Sequence, residues 1–232
     1  AVLRHEERKR KSLGEKPYIA SAKLVIADFC FYGGEASEEL VLHSKDIYEA
    51  GFKILVPQNR DWELLIERIY GDRAVRRVRY AFQKDRNCFS IEELVKMATR
   101  LEEGFSIEEI GERTFREAAG LPWACDWGGQ FKGYRDYKNR GIGVAVRYKG
   151  ELVAGASSYT VYSGGIEIQI DTRKDYRNRG LASSCGAALI LKCLERGLYP
   201  SWDADNEISA HLARRLGYRF EREYPVYKIG LT

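Results

Sequence analysis

The sequence predicts an α+β protein in which helices lie against a mixed β-sheet. Three observations carry that prediction. The first part of the chain alternates strand-like and helix-like signals, and the segment after Pro122 runs strand, strand, strand, helix, strand, helix, strand. The composition is 44% hydrophobic and 12% aromatic, which supplies a packed core and argues against disorder. With 232 residues the chain suits one large domain or two smaller ones. The expected division is an N-terminal α+β domain over residues 1–104, with a basic leader, and a second domain over 105–232.

The elements follow in order. AKLVIADFCFY reads as one strand closed by Gly33-Gly34, and FKILVP as another stopped by Pro57. Trp62, Leu65, Ile66, Ile69 and Tyr70 recur at helical spacing, giving one apolar face ended by Gly71. AVRRVRYAF reads as a strand. Ser90-x-x-Glu93 and Ser106-x-x-Glu109 both have the form of a capping box, with Phe89/Leu94 and Phe105/Ile110 at the staple positions. They predict two helices, ended by Gly104 and Gly120. GIGVAVRYKG and ELVAGASSYTVY then predict a hairpin turning at Lys149-Gly150, and GIEIQIDT alternates as a strand. Residues 181–196 read as a helix stopped by Gly197 and Pro200. LYPSWDA is a short strand, NEISAHLARRLGY a helix with Asn206 as cap and Gly217 as end, and EYPVYKI a last strand.

Composition narrows the function classes. No run of 18 apolar residues is present, so no membrane span and no membrane partner are expected. No signal peptide is expected; the chain opens at Ala1 without a methionine, so further residues upstream are expected. The five cysteines are odd in number and form no C-x-x-C pair, which fits a reduced, cytoplasmic setting rather than disulfides or zinc. The three histidines share no ligand spacing, so no metal is expected. Residues 1–16 hold six basic and three acidic side chains, so +3 of the net +4 sits in the leader. The rest is nearly neutral, which argues against a nucleic-acid partner, and Arg8–Lys11 reads as a solvated chain end. Nothing in the pattern sets an oligomeric state.

One stretch points to chemistry. The strand 166–172 leads through RKDYRNR into Gly180-Leu181-Ala182 at a helix start. The first turn of a helix leaves backbone N–H groups unpaired and partly positive. Gly180 lets a ligand approach the backbone, and Arg177 and Arg179 add formal charge. Together they form an anion cradle. Read alone, the same residues also suit an ordinary strand-to-helix turn with solvated arginines.

Here the chain resembles the GNAT superfamily of acyl-CoA-dependent N-acyltransferases. The family signature Arg/Gln-x-x-Gly-x-Gly/Ala is matched at Arg177, Gly180 and Ala182 of DYRNRGLA. A second signature is matched by NEISAHLARRLGY at Asn206, Ser209, Leu212, Leu216, Gly217 and Tyr218. The details EIQIDT, YRNRGLA and PSWDADN resemble a bacterial subgroup named for zwittermicin A resistance. The resemblance implies a GNAT fold and acetyl-CoA as acyl donor. It implies a pyrophosphate held by Arg177, Asn178, Arg179, Gly180, Leu181, Ala182 and Ser183. It also implies a pantetheine arm along the strand edge that includes Ile170, Asp171 and Thr172. Asn206 lies near the cofactor in the family, and the same residue suits a helix cap. The acceptor implied is an amine of a small molecule or a protein, with the N-terminal domain shaping its site. A binding module that has lost turnover, and a transferase for a longer acyl-CoA, are the alternatives.

The reaction such a fold performs needs a free amine. An alkyl ammonium of pKa about 10.4 lies about 3.4 units above pH 7, roughly 4.6 kcal/mol. A general base removes that proton. By resemblance, Glu167 and Asp203 stand where a base is wanted, although Glu167 is one residue off the commonest spacing and either also suits a structural role. Relatives often carry a tyrosine seven residues after the motif asparagine, as acid for the departing thiolate; here that position is Ala213. His211 is close by on another helix face, and Tyr224 and Tyr227 are later candidates for the acid, although either suits core or rim packing better. Cys185 and Cys193 suit buried packing better than a nucleophile. Trp123, Trp127, Phe131, Tyr134 and Tyr137 lie where relatives build the acceptor pocket, or else form the core under a long connection.

Overall fold

The computed structural model describes residues 2–8, 18–42 and 52–230. Two units emerge, one of Ala1–Arg79 with Glu223–Thr232 and one of Tyr80–Arg222. The expected boundary at Gly104 falls inside the second.

In the first unit the hydrophobic alternation before Gly33 makes two strands. β2 (Tyr18–Ile26) and β3 (Phe29–Gly34) pair antiparallel, turning at Ala27-Asp28, where Ala27 takes a φ of 53°. The expected single strand is therefore a hairpin. Its turn lacks glycine or asparagine and is held from outside: Ile54 N–H donates to Asp28 O, and Lys53 Nζ to Ala27 O at 2.8 Å. The leader contributes β1 (Val2–Arg8), antiparallel to β2, so Arg8 is strand rather than free end; Lys9–Lys11 lie outside the described residues. β4 (Lys53–Val56) runs parallel to β3. The described residues of this unit also form helices α1 (Glu38–Leu42) and α2 (Arg60–Tyr70), α2 starting at Asn59, whose side chain accepts from Trp62 N–H. Trp62, Ile66, Leu55 and Cys30 form its core. Two strands, β5 (Val75–Phe82) and β12 (Phe220–Ile229), run on from one unit into the other, and β12 pairs antiparallel with β4.

The second unit is built on a five-stranded sheet. β6 (Phe105–Glu109), β7 (Gly143–Tyr148), β8 (Glu151–Tyr162) and β9 (Gly165–Thr172) are antiparallel neighbours, and β10 (Tyr199–Ser201) adds parallel to β9. Lys149 and Gly150, with φ of 49° and 86°, make the predicted turn between β7 and β8. Five helices flank it: α3 (Ile91–Ala98), α4 (Glu112–Ala119), α5 (Tyr134–Arg140), α6 (Leu181–Glu195) and α7 (Glu207–Arg215). α6 seats Leu181, Cys185, Leu189 and Cys193 on the sheet, each fully buried large apolar side chain stabilising by about 1.5–3 kcal/mol.

Three expectations fail here. Ser90 does cap α3, but that helix ends at Ala98 rather than at Gly104. Ser106 caps nothing: Phe105–Glu109 is strand β6, in register with β7 from Phe105↔Tyr148 to Glu109↔Val144. FSIEE also satisfies the strand period, and the free edge of β7 decides between the two. The helix ended by Gly120 starts at Glu112 instead. LYPSWDA also divides, into β10 on β9 and β11 (Asp203–Ala204) on β5.

Candidate functional site

The site grows from what happens beside β9. Pairing with β10 stops at Ser201↔Glu167, because the chain then turns away and Asp203-Ala204 pairs with Ala81-Tyr80. Backbone groups of an extended strand alternate edges residue by residue. Arg173 N–H donates to Val153 O on the β8 side, and Gly164 O accepts from Tyr199 N–H on the β10 side. The even-numbered residues of β9 therefore face β10, and Ile170 and Thr172 face an edge with no strand on it among the described residues. Arg177 Nε donates to Thr172 O at 3.3 Å. Asp171 is in register with Gly155 and turns its backbone to β8, so of the three expected edge residues two face outward.

The edge leads directly to the cradle. Asn178 and Gly180 both hold left-handed conformations, φ 65° and 78°, within one exposed loop. Asn tolerates that region and Gly favours it. α6 has no side-chain cap, so the first-turn N–H groups of Leu181, Ala182 and Ser183 meet no capping side chain. No heavy atom lies within 4 Å of the point where a Cβ at Gly180 would stand. Arg179 donates to Glu102 at 3.3 Å and lies near the rings of Tyr176 and Phe105. Thr172 Oγ1 is buried without a hydrogen-bond partner among the described residues. A strained loop, a bare helix start and an orphaned hydroxyl at one strand end fit a polyanionic ligand with an amide-bearing arm.

On the opposite face of β9 from α6 stand Glu167, Gln169 and Asp171. The indole of Trp127 lies against Gly155, where a Cβ would come within 2.4 Å of Cη2. Its Nε1 donates to Asp171 Oδ2 at 3.0 Å, and Gln169 Nε2 donates to the same oxygen at 3.0 Å. The Trp127 carbonyl accepts from Ser157 Oγ at 2.7 Å, and Ser157 is 2.9 Å from the Tyr137 hydroxyl. Burial pushes the Asp171 carboxyl above the usual aspartate range, against the hydrogen bonds from Gln169 and Trp127. Trp127 and Tyr137 are core, and Trp123, Phe131 and Tyr134 pack on them. A cavity of about 320 Å³ opens beside them, bordered by Phe115, Cys125, Phe131 and the glycines 128, 129 and 133.

Of the other predicted residues, Glu167 shares that face of β9, where β10 leaves the strand, and the rest belong to other elements. Asn206 caps α7, accepting from Ser209 N–H at 2.9 Å. Glu167 sits at the fork, and Asp203 is on β11. Ala213 is fully buried between α7 and its neighbours. Tyr227 belongs to the first unit, its buried hydroxyl donating to Glu67; burial first, then Glu67, pushes it up to about 12. Cys185 and Cys193 are buried, which pushes each thiol up to about 12. Among the described residues, no group of three or more His, Cys, Asp or Glu stands together, and no helix is long and apolar enough to cross a membrane.

The profile of a family described as GNAT acetyltransferase matches residues 14–227. The uncharacterized N-acetyltransferase YdfB of Bacillus subtilis (strain 168) is 27% identical over 171 residues, covering 73% of this chain and 63% of that protein. The chain thus spans less than two thirds of that relative's length. A GCN5-related N-acetyltransferase-like protein from Streptococcus suis 89/1591 superimposes with a TM-score of 0.84 at 39% identity, over 91% of this chain and 84% of that one. A putative GNAT-family acetyltransferase from Novosphingobium aromaticivorans DSM 12444 shares the fold at 18% identity, with a TM-score of 0.57 over 92% and 89% of the two chains.

Proposed function

Because the chain belongs to the GNAT acetyltransferase family, we propose that it transfers an acetyl group from acetyl-CoA to a primary amine of a small molecule or a protein. The observation that carries the proposal is the continuity of the open β9 edge with the bare start of α6. The N–H groups of Leu181–Ser183, with Arg177 and Gly180, hold the pyrophosphate, flanked by Asn178 and Arg179. The Ile170 and Thr172 edge receives the pantetheine amides as an added strand would be received. Acetyl-CoA supplies an activated thioester there. The Ile170 N–H is placed to donate to a carbonyl oxygen that gains negative charge. Asn206, fixed as a helix cap, keeps the second motif in place beside Trp202. Glu167 and Asp203 are the carboxylates to which the motif positions point for deprotonating the acceptor.

A second reading has an observation of its own. With Ala213 buried where relatives carry a phenol, the protein would bind acyl-CoA without turning it over. The cradle is tested by melting: CoA at 100 times its Kd should stabilise by about 2.7 kcal/mol, and Gly180→Ala or Arg177→Ala should remove most of that protection. No protection of the wild type overturns the proposal. Thiol release from acetyl-CoA across an amine panel separates the two readings, since binding without release leaves only the module.

A further inference from the structure

We propose that Asp171 is the residue that binds the acceptor's ammonium group and takes its proton. The inference rests on the amine-acylation reading and adds a role that the motif spacing does not reveal.

The carboxyl is held so that one oxygen is committed and the other is not. Oδ2 receives both the Trp127 indole and the Gln169 amide, each at 3.0 Å. Oδ1 has no hydrogen bond among the described residues, yet the side chain is half-buried. Two donors on one oxygen fix the plane of the carboxyl and aim the other at whatever approaches the face opposite α6. The aim is built in depth. Gly155 makes room for the indole, and Ser157, backed by Tyr137, anchors the Trp127 backbone through its carbonyl. Three elements therefore converge on one carboxyl.

Its place in the strand gives the arrangement a use. Asp171 follows Ile170, whose N–H faces the open edge, so the carboxyl and the donor belong to adjacent residues of one rigid strand. The rival carboxylates are placed less well. Asp203 lies on β11, paired with β5 rather than β9, and Glu167 stands four residues back at the fork, where β10 still covers the edge. The charged groups acting on Asp171 from its surroundings are Asp126, from the turn at Cys125–Trp127, and Arg177, from the loop before α6. Burial leads, so the carboxyl is a stronger base than an exposed aspartate. In the step itself R–NH3+ gives one proton to Oδ1. This leaves R–NH2 and a neutral carboxyl, which returns the proton to water.

The test compares wild type with Asp171→Asn and Asp171→Glu. CoA should bind wild type and Asp171→Asn within about threefold, while kcat/KM for an alkylamine falls by about 10²-fold or more in the Asn variant, the usual scale of a lost general base. Hydroxylamine, a free base at neutral pH, should lose far less, and Asp171→Glu should shift the acidic limb of the pH–rate profile. Equal rates, or a loss of CoA affinity that parallels the rate, overturn the assignment. Failure of CoA to bind the wild type would instead sink the cradle. Asp171 is then still judged by NMR on the CoA-free protein. The Trp127 indole N–H should titrate with Asp171 and shift on addition of n-butylammonium chloride, both responses vanishing in Asp171→Asn; absence of either in the wild type overturns the proposal.

Discussion

Gly155→Ala is the substitution that best separates a built site from a chance contact. The added Cβ would stand 2.4 Å from Trp127 Cη2 and 2.7 Å from Cζ2 and Cζ3. The ring is 1% exposed and packed in the core, so it can yield only by tilting out of its place. Overpacking of this kind costs about 1–3 kcal/mol. If the indole tilts away, its hydrogen bond to the Asp171 carboxyl goes too, about 1.5–3 kcal/mol for a charged acceptor. Replacing Gly by Ala in a strand returns roughly 0.5–1 kcal/mol of backbone entropy. The net expectation is a loss of about 2–4 kcal/mol in unfolding of the second unit, read from urea midpoints at constant slope. A double-mutant cycle with Trp127→Phe should show coupling above about 0.5 kcal/mol, because both changes act on one contact. Strict additivity, or a single-mutant cost below about 0.5 kcal/mol with the indole N–H resonance unmoved, would refute the reasoning.

The same carboxyl has a pH signature. Burial raises the folded pKa of Asp171, so its stabilising contribution is complete below the unfolded value, about 3.9, and is lost as pH rises through the folded value. Asp171→Asn should therefore gain melting temperature relative to wild type between pH 4 and pH 7; a constant or reversed difference contradicts this. Arg147, whose side chain is 8% exposed, binds Glu108, Glu117 and Thr114. Arg147→Met should cost about 1–3 kcal/mol in urea unfolding, below the 3–5 kcal/mol of a fully buried pair because Glu108 and Glu117 are 41% and 34% exposed. In native protein treated with iodoacetamide at pH 8, Cys125 should be alkylated while Cys185 and Cys193 stay unmodified, as mass spectrometry of the peptides will show.

Much of the second unit was legible because its signals are local. The Lys149-Gly150 turn, the start of α6 after Gly180 and the Asn206 cap each depend on residues within a few positions, and each is where the pattern puts it; α6 ends one residue before the expected Arg196. The errors share one cause. The Ala27-Asp28 turn is stabilised by Lys53 and Ile54 from another strand, and Phe105–Glu109 becomes strand because β7 offers it an edge. Neither partner lies within the short stretch that carries the local signal. Asp171 shows the same limit within the site. Its number placed it on the cofactor edge, but its partner Trp127 comes from a connection 44 residues earlier. Only the pairing of Gly155 with Asp171 brings the indole into reach, and a glycine within a strand is the one local hint of a close approach.

The open edge of β9 itself follows from a competition at Trp202. Continuing β10 along β9 would add ladder hydrogen bonds, each worth about 0.5–1.5 kcal/mol net. Instead the chain turns at Trp202, which is buried against Tyr218, with ring centroids 5.4 Å apart, and donates its indole N–H to Ser209 of α7. Burying that ring with the inner face of α7 offsets the forgone ladder, since one buried large apolar side chain is worth about 1.5–3 kcal/mol, and the next two residues find backbone partners on β5 instead. The second motif thus acts at a distance. Asn206 caps α7, α7 holds Trp202, and Trp202 keeps β10 from closing over Ile170 and Thr172. An uncovered strand edge is ordinarily a liability for aggregation. Here it lies next to a bare helix start, and a ligand with amides and phosphates in one chain would complete both.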